Sequence, residues 1–303
     1  MAGPTPVSSL LHSSTMVVAG VFLVGRLYPV FFEGMNILGS GVNLITVIGG
    51  ITIVVAAALA FVQTDIKKVL AYSTVSQLGY MMMGLGAGAW LPAVFHIFTH
   101  AFFKACLFLA AGSISHSASH HSFEMKKDMG GLRKFMPITF TTWVISTLAL
   151  CGVFPCAGFF SKDEIIDNVG HNGYTVFMVI GLVGAFMTAA YMTRATYLTF
   201  FGEPRGASAG EHHDEHATAH DAHDSHDSHD SHSADHGDHG PHERGWRITL
   251  PLVLLAVLAL SSGFLNATPF GEKWERIKTW VEPRAEVVME TAPGGPGASN
   301  MLA

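Results

Sequence analysis

Charge is what this sequence has least of. Asp, Glu, Lys and Arg make up only 13% of its 303 residues, where soluble domains carry roughly 25%. With 49% hydrophobic residues and a mean hydropathy of +0.36, that scarcity excludes an ordinary soluble domain and points to a membrane protein. The shortage is uneven. From Gly206 to Glu243 there is no Lys or Arg at all, against ten acidic residues and eleven histidines; without this segment the formal charge changes from −6 to +4. Cysteine is also scarce. Cys106, Cys151 and Cys156 lie in apolar runs, with no spacing that suggests a disulfide framework or a zinc site, and read as small core residues. Met1 is followed by AGPTPVSS with no basic segment, so no cleavable signal peptide is expected. No flavin, iron–sulfur or nucleotide motif is found, so no cofactor is expected in this chain, and nothing points to nucleic acid.

What is present is a series of long apolar runs. A span needs about 20 mostly apolar residues. Seven runs qualify: Pro4–Gly25, Val42–Val62, Val69–Leu85, Leu91–Ile114, Pro137–Phe160, Tyr174–Phe201 and Trp246–Leu265. The expected fold is therefore all-α, a polytopic transmembrane bundle of about seven helices. The third run carries Tyr72, Ser73, Thr74, Ser76 and Gln77. A helix that polar belongs inside the bundle or beside an aqueous path. In the fifth run, Pro155 and Gly158 sit where a helix should continue. Pro removes a backbone hydrogen bond and Gly loosens the chain, so this helix is expected to be discontinuous.

Lys and Arg set sidedness. Lys67, Lys68, Lys126, Lys127, Arg133, Lys134, Arg205, Arg244 and Arg247 all fall in the even-numbered loops, while the odd-numbered ones hold only Arg26. The even loops are expected on the cytoplasmic side of the cell (inner) membrane. The segment EKWERIKTWVEPR breaks the pattern, with four basic residues on the opposite side. It reads as an interfacial helix anchored by Trp274 and Trp280, or as a sign that the helix count is off by one.

Four divisions follow: 1–202, a transmembrane region; 203–245, a His/Asp-rich cytoplasmic loop; 246–266, a last transmembrane helix; and 267–303, an amphipathic segment with a Gly- and Pro-rich tail expected to be disordered. The loop places His220, His223, His226, His229 and His232 at three-residue intervals. It is low-complexity and expected to be disordered. It reads as a tolerated linker or as a weak divalent-metal buffer.

Polar groups at bilayer depth cost about 2.5–3.5 kcal/mol each on insertion scales, so they pair or line aqueous paths. In HIFTHAFFKACLFLAAG, His96, His100 and Lys104 recur every four residues. They share one helical stripe, each step rising about 6 Å. Lys104 lies too deep to reach an interface, which suits a proton carrier or a structural ion pair. The histidines extend the row; read instead as a metal pair, they lack a third ligand. Lys162, in FPCAGFFSKDE, follows the break, with Asp163 and Glu164 as ready counter-charges. Broken helices serve transporters at ion sites, although an ordinary helix end would look the same. His12, in PVSSLLHSSTM, is either a functional group or a hydrogen-bonded core residue. Lys67 alone reads as a positive-inside anchor.

Several stretches resemble one family. AGPTPVSSLLHSSTM, QTDIKKVLAYSTVSQLGYM, FHIFTHAFFKACLFLAAGS, MGGLRK and AGFFSKDEI, in that order over about residues 1–202, look like the antiporter-like subunit L of proton-pumping NADH:quinone oxidoreductase, respiratory complex I. The related subunit of Mrp-type sodium/proton antiporters has similar motifs. It commonly carries a lysine where STMVVAGVF has Val17 and Val18, which with FFGEPR tilts the resemblance toward complex I.

The resemblance implies roles. Lys104 corresponds to the central proton carrier, and His96 and His100 to the hydrophilic axis beside it. Lys162 corresponds to the terminal proton site on a discontinuous helix. His12 and Lys67 correspond to links between half-channels. The implied partners are other membrane-arm subunits of complex I, the lipid bilayer and protons, with electron transfer from NADH to quinone occurring elsewhere in the enzyme. Family members are longer. They begin with helices bearing a glutamate–lysine pair and another broken helix, and Met1 matches an internal methionine of the pattern. Their long lateral helix and last transmembrane helix are not recognisable here, and the His-rich loop is not a family feature. A fragment holding the second half-channel is the expectation, unable to pump alone. The rival readings are a component of a sodium/proton antiporter complex, or a metal-handling membrane protein built on the His-rich loop.

Overall fold

The structure, a computed structural model, describes residues 3–39, 41–119, 122–209, 241–243 and 245–267, with residues 271, 276 and 277. The five histidines from His220 to His232, the tail 293–303 and all but two residues of the segment 272–284 lie outside the described residues. All the α-helices and 3₁₀ turns are joined without a strand among the described residues; a single isolated bridge pairs Asp65 with Glu124. The all-α expectation holds.

The helices are α1 (Thr5–Ser13), α2 (Ala19–Arg26), α3 (Tyr28–Gly34), α4 (Leu44–Val62), α5 (Ile66–Gly86), α6 (Trp90–Ser117), α7 (Pro137–Cys151), α8 (Ala157–His171), α9 (Thr175–Phe200) and α10 (Trp246–Ser261). Four elements are long and apolar enough to cross a membrane as continuous helices: Leu44–Val62, Trp90–Ser117, Thr175–Phe200 and Trp246–Leu265. The other three expected spans differ for physical reasons. α5 is long enough but too polar, and it is buried in the bundle, as its Ser and Gln residues suggested. The fifth run divides into α7 and α8 at the anticipated break. The first run is also divided, which its composition did not foretell: α1 stops at Ser13 and α2 starts at Ala19.

Burial is arranged as a bilayer demands. Leu44, Ile48, Ile51, Val55, Leu59 and Val62 form an exposed stripe along α4, spaced at helical intervals. An outward apolar face beside an inward face of Gly, Ala and Thr suits lipid rather than water. The small residues let α4 and α5 touch backbone to backbone. A Cβ at Gly79 would stand 2.9 Å from the Gly49 carbonyl oxygen. The larger core packs Phe103, Leu107 and Phe108 of α6 against Trp143, Tyr191 and Leu252 from α7, α9 and α10.

The loops sort onto two faces. On one, Ile66 N–H donates to the Phe123 carbonyl and Arg133 N–H to Phe200. The Arg205 guanidinium donates to the carbonyls of Met129 and Leu198 at 2.8 and 2.7 Å. These contacts gather the second, fourth and sixth loops. On the other face, Asn43 Nδ2 donates to Gly86 O and to Tyr174 Oη, and Asn172 Nδ2 to Ala87 O, joining the first, third and fifth. The basic loops thus share a face.

Candidate functional site

α6 presents one fully buried stripe of His96, Thr99, His100 and Lys104 toward α1, α5 and α8. Lys104 Nζ donates to the Leu70 carbonyl at 3.3 Å and to the Ser73 hydroxyl. Both acceptors belong to α5. Ser73 and Thr74 hydroxyls also turn back onto the Leu70 carbonyl at 3.0 Å. Among the described residues the ammonium therefore meets a cluster of neutral oxygens and no carboxylate.

One turn toward the odd-loop face, His100 Nδ1 lies 2.9 Å from the carbonyl of Ser13. A carbonyl only accepts, so Nδ1 carries the hydrogen, and Nε2 is the bare nitrogen of the neutral ring. Nε2 is buried without a hydrogen-bond partner among the described residues. Ser13 is the last residue of α1, so His100 satisfies a carbonyl that the end of the helix leaves free. The contact gives that carbonyl a partner at the point where the first span is interrupted.

His96 follows, its ring centroid 6.2 Å from that of His100. Nδ1 is 2.8 Å from the Ser161 hydroxyl and Nε2 is 3.1 Å from Gln77 Oε1. Thr99 Oγ1 also meets Ser161 Oγ at 2.8 Å. Ser161 thus ties the histidine row of α6 to α8, one residue before Lys162.

Lys162 is buried beside the break. α7 ends at Cys151 with Gly152 in the left-handed region, φ +78°. The Lys162 Nζ donates to the Leu150 carbonyl at 2.9 Å and stands 4.8 Å from the centroid of the Tyr80 ring. The C-terminal end of α7 carries partial negative charge, and an aromatic face attracts a cation. Together they hold an ammonium without a carboxylate. The expected counter-charges are a correction. Glu164 Oε2 accepts from Asn266 Nδ2 at 3.2 Å, Asp163 makes no ion pair with Lys162, and the ion pair found among the described residues joins His171 to Asp167. Residues one or two apart on a helix point about 100° and 200° from each other, so sequence adjacency does not make them partners.

The two remaining candidates lie toward the basic-loop face. His12 is half-buried and stacks on Phe108, centroids 5.4 Å apart, one turn beyond Lys104. Lys67 is buried at the start of α5, where Asp65 caps the helix. Its Nζ donates to the Gly3 carbonyl at 2.6 Å and lies 4.7 Å from the Phe123 ring centroid. His96, His100 and Lys104 thus share one buried stripe of α6, Lys162 is buried on α8 next to the Ser161 that meets His96, His12 stacks on Phe108, and Lys67 lies at the loop end. Sequence reasoning missed Ser13, Leu70, Ser73, Gln77, Tyr80, Leu150 and Ser161 as direct partners. The polarity of α5 flagged Ser73 and Gln77 as inward-facing, but the three backbone carbonyls carry no sequence signal. Among the described residues no three His, Cys, Asp or Glu side chains converge as a metal site would require.

The chain has relatives among known proteins. Residues 1–188 match the family model for NADH:quinone oxidoreductase/Mrp antiporter, TM. The chain is 49% identical over 204 residues to NADH-quinone oxidoreductase subunit L of Escherichia coli, covering 67% of this chain and 32% of that protein. It is 44% identical over 273 residues to NAD(P)H-quinone oxidoreductase subunit 5 of Paulinella chromatophora, covering 88% and 39%. Its fold matches a chain of the Mrp complex from Dietzia sp. with a TM-score of 0.66 at 22% identity, over 88% of this chain and 52% of that one. The chain spans well under half the length of these curated relatives. With most of its length matched by the family model, this chain belongs to the NADH:quinone oxidoreductase/Mrp antiporter transmembrane family.

Proposed function

We propose that this chain is part of a membrane-arm subunit of proton-pumping NADH:quinone oxidoreductase, and that protons cross the membrane along its buried lysines and histidines. The observation that carries the reading is the row itself. Lys104 and Lys162 are buried, each bonded to neutral oxygen, with His100 and His96 on the same stripe as Lys104 and His96 joined to Ser161, the residue before Lys162. A lysine so held has no carboxylate to fix its charge, and can exchange a proton with little rearrangement.

Each step moves a proton and breaks no other covalent bond. Protons enter from the basic-loop face past Lys67 and His12 and load Lys104. The bare Nε2 of His100 takes the next proton and, with Nδ1 held on the Ser13 carbonyl, gives it up again from that same nitrogen. His96 passes the charge through Ser161 to Lys162 at the α7–α8 break. The basic loops face the cytoplasm under the positive-inside bias. Electron transfer from NADH to quinone takes place in other subunits, the proton path here calls for no cofactor, and its partners are the neighbouring membrane-arm subunits and lipid. Charge changes in those neighbours drive the row electrostatically.

The test uses sealed vesicles from cells carrying the intact complex and a pH-sensitive dye. NADH should drive proton movement in sodium-free buffer. A pH change that instead requires a sodium gradient and proceeds without NADH would replace this reading with sodium/proton antiport.

A further inference from the structure

Three fully buried residues of α5, Ser73, Gln77 and Tyr80, recur at helical intervals and meet Lys104, His96 and Lys162 in turn. The two lysines are met differently. Ser73 accepts from the Lys104 ammonium while its own hydrogen bonds the Leu70 carbonyl. A hydroxyl can also turn and donate to a neutral amine, so Ser73 has a bond for Lys104 in either state. At Lys162 the partner from α5 is the Tyr80 ring, whose centroid lies 4.8 Å from Nζ, inside the roughly 6 Å reach of a cation–π contact. A ring face attracts an ammonium and offers a neutral amine no comparable contact. Among the described residues no ring stands over Lys104 in this way; the other cations so placed are Lys67, Arg133 and Arg194.

The Tyr80 ring is fixed in place. Its hydroxyl donates to the Gly181 carbonyl of α9 at 2.6 Å, and it clusters with Ile53, Met83 and Ile165. Gly184 leaves room for that hydroxyl, since a Cβ there would stand 2.7 Å from Tyr80 Oη. The hydroxyl is therefore committed to α9, which leaves the ring face for Lys162. We propose that Tyr80 is a positioning residue whose ring face makes Lys162 the lysine that retains a proton, while Lys104, bonded in both states, passes one on. A proton arriving at Lys162 forms one N–H bond on Nζ and leaves by breaking one, and no other covalent bond changes. This role rests on the proton path proposed above.

The test is a graded series at position 80 in the intact complex, read as NADH-driven proton translocation per assembled complex. Tyr80→Phe keeps the ring without the hydroxyl and is the parent of the series. Phenylalanines carrying one, two and three ring fluorines, introduced by nonsense suppression, keep nearly the same shape while fluorine withdraws electron density from the face that attracts a cation. Translocation is expected to fall stepwise with each fluorine, and Tyr80→Leu to be at least about tenfold slower than Tyr80→Phe. A packing role would not follow the fluorine count, so the series decides even where Tyr80→Leu fails to assemble. A series that stays flat, or Tyr80→Leu translocating as fast as Tyr80→Phe, overturns the proposal. If the series is flat while Lys104→Ala stops translocation, this inference fails and the proton path stands. If Lys104→Ala leaves translocation intact, the path itself fails.

Discussion

Lys162 reaches back across the break between α7 and α8 and donates to the carbonyl of Leu150, 2.9 Å away and twelve positions earlier. The break therefore does two jobs. It frees a carbonyl at bilayer depth, and it places a lysine where that carbonyl and the end of the α7 dipole can hold its charge. Lys162→Met keeps the bulk and removes the donor. The Leu150 carbonyl is then buried unpaired, at a cost of about 1–3 kcal/mol. The expected outcome is an assembled complex with lower thermal stability and proton translocation reduced at least about tenfold. Translocation at the wild-type rate would remove Lys162 from the path.

Gly158 makes the break possible. A Cβ at this position would overlap the Ala149 carbonyl oxygen, whereas one at Gly20 on the exposed side of α2 would meet nothing within 4 Å. Gly158→Ala should force α8 away from α7 and destabilise by about 1–3 kcal/mol, lowering the thermal midpoint of the assembled complex. Gly20→Ala should stay within about 0.5 kcal/mol of the wild type. Equal midpoints for the two variants would contradict the close approach at Gly158.

Much of this arrangement was legible because membranes make polar residues conspicuous. The four-residue spacing of His96, His100 and Lys104 survives as the buried stripe of α6, and Pro155 with Gly158 marked the discontinuity. The interruption of the first span was not legible, since Ser13 to Val18 contain no helix breaker. The carbonyl it frees, that of Ser13, finds its partner in His100, 87 residues away in sequence. Ser161 was equally silent, and Gln77 was legible only as inward-facing. A lone Ser or Gln in a helix signals only that it faces inward, and which ring nitrogen it meets depends on how three helices pack. Asp163 and Glu164 misled because nearness along the chain was taken for nearness in space.

Glu243 caps α7 from a distance. Its carboxylate accepts from Ile138 N–H at 2.9 Å and from the Thr139 hydroxyl at 2.6 Å. An acidic group there satisfies a free N–H and complements the helix dipole. Glu243→Ala should cost about 1–2 kcal/mol, read as a lower thermal midpoint. Proton translocation per assembled complex should not change, because the cap lies away from the lysine and histidine row. A loss of translocation without a loss of stability would show a role beyond capping.

The histidines between 212 and 239 separate two of the readings raised by the sequence. Replacing them all with asparagine removes every imidazole ligand from that stretch but keeps its length and the Glu243 cap. Proton translocation should remain within error of the wild type, with or without a divalent-metal chelator. A loss of function with the substitutions would favour metal handling.

The most direct measurement is NADH-driven proton translocation in sealed vesicles from cells whose complex carries Lys104→Ala, with assembly checked on the same preparation. Lys104 sits at the centre of the row, and alanine leaves nothing to hold a proton there. Translocation reduced at least about tenfold is the expected result. Wild-type translocation in an assembled complex would contradict a proton path through Lys104.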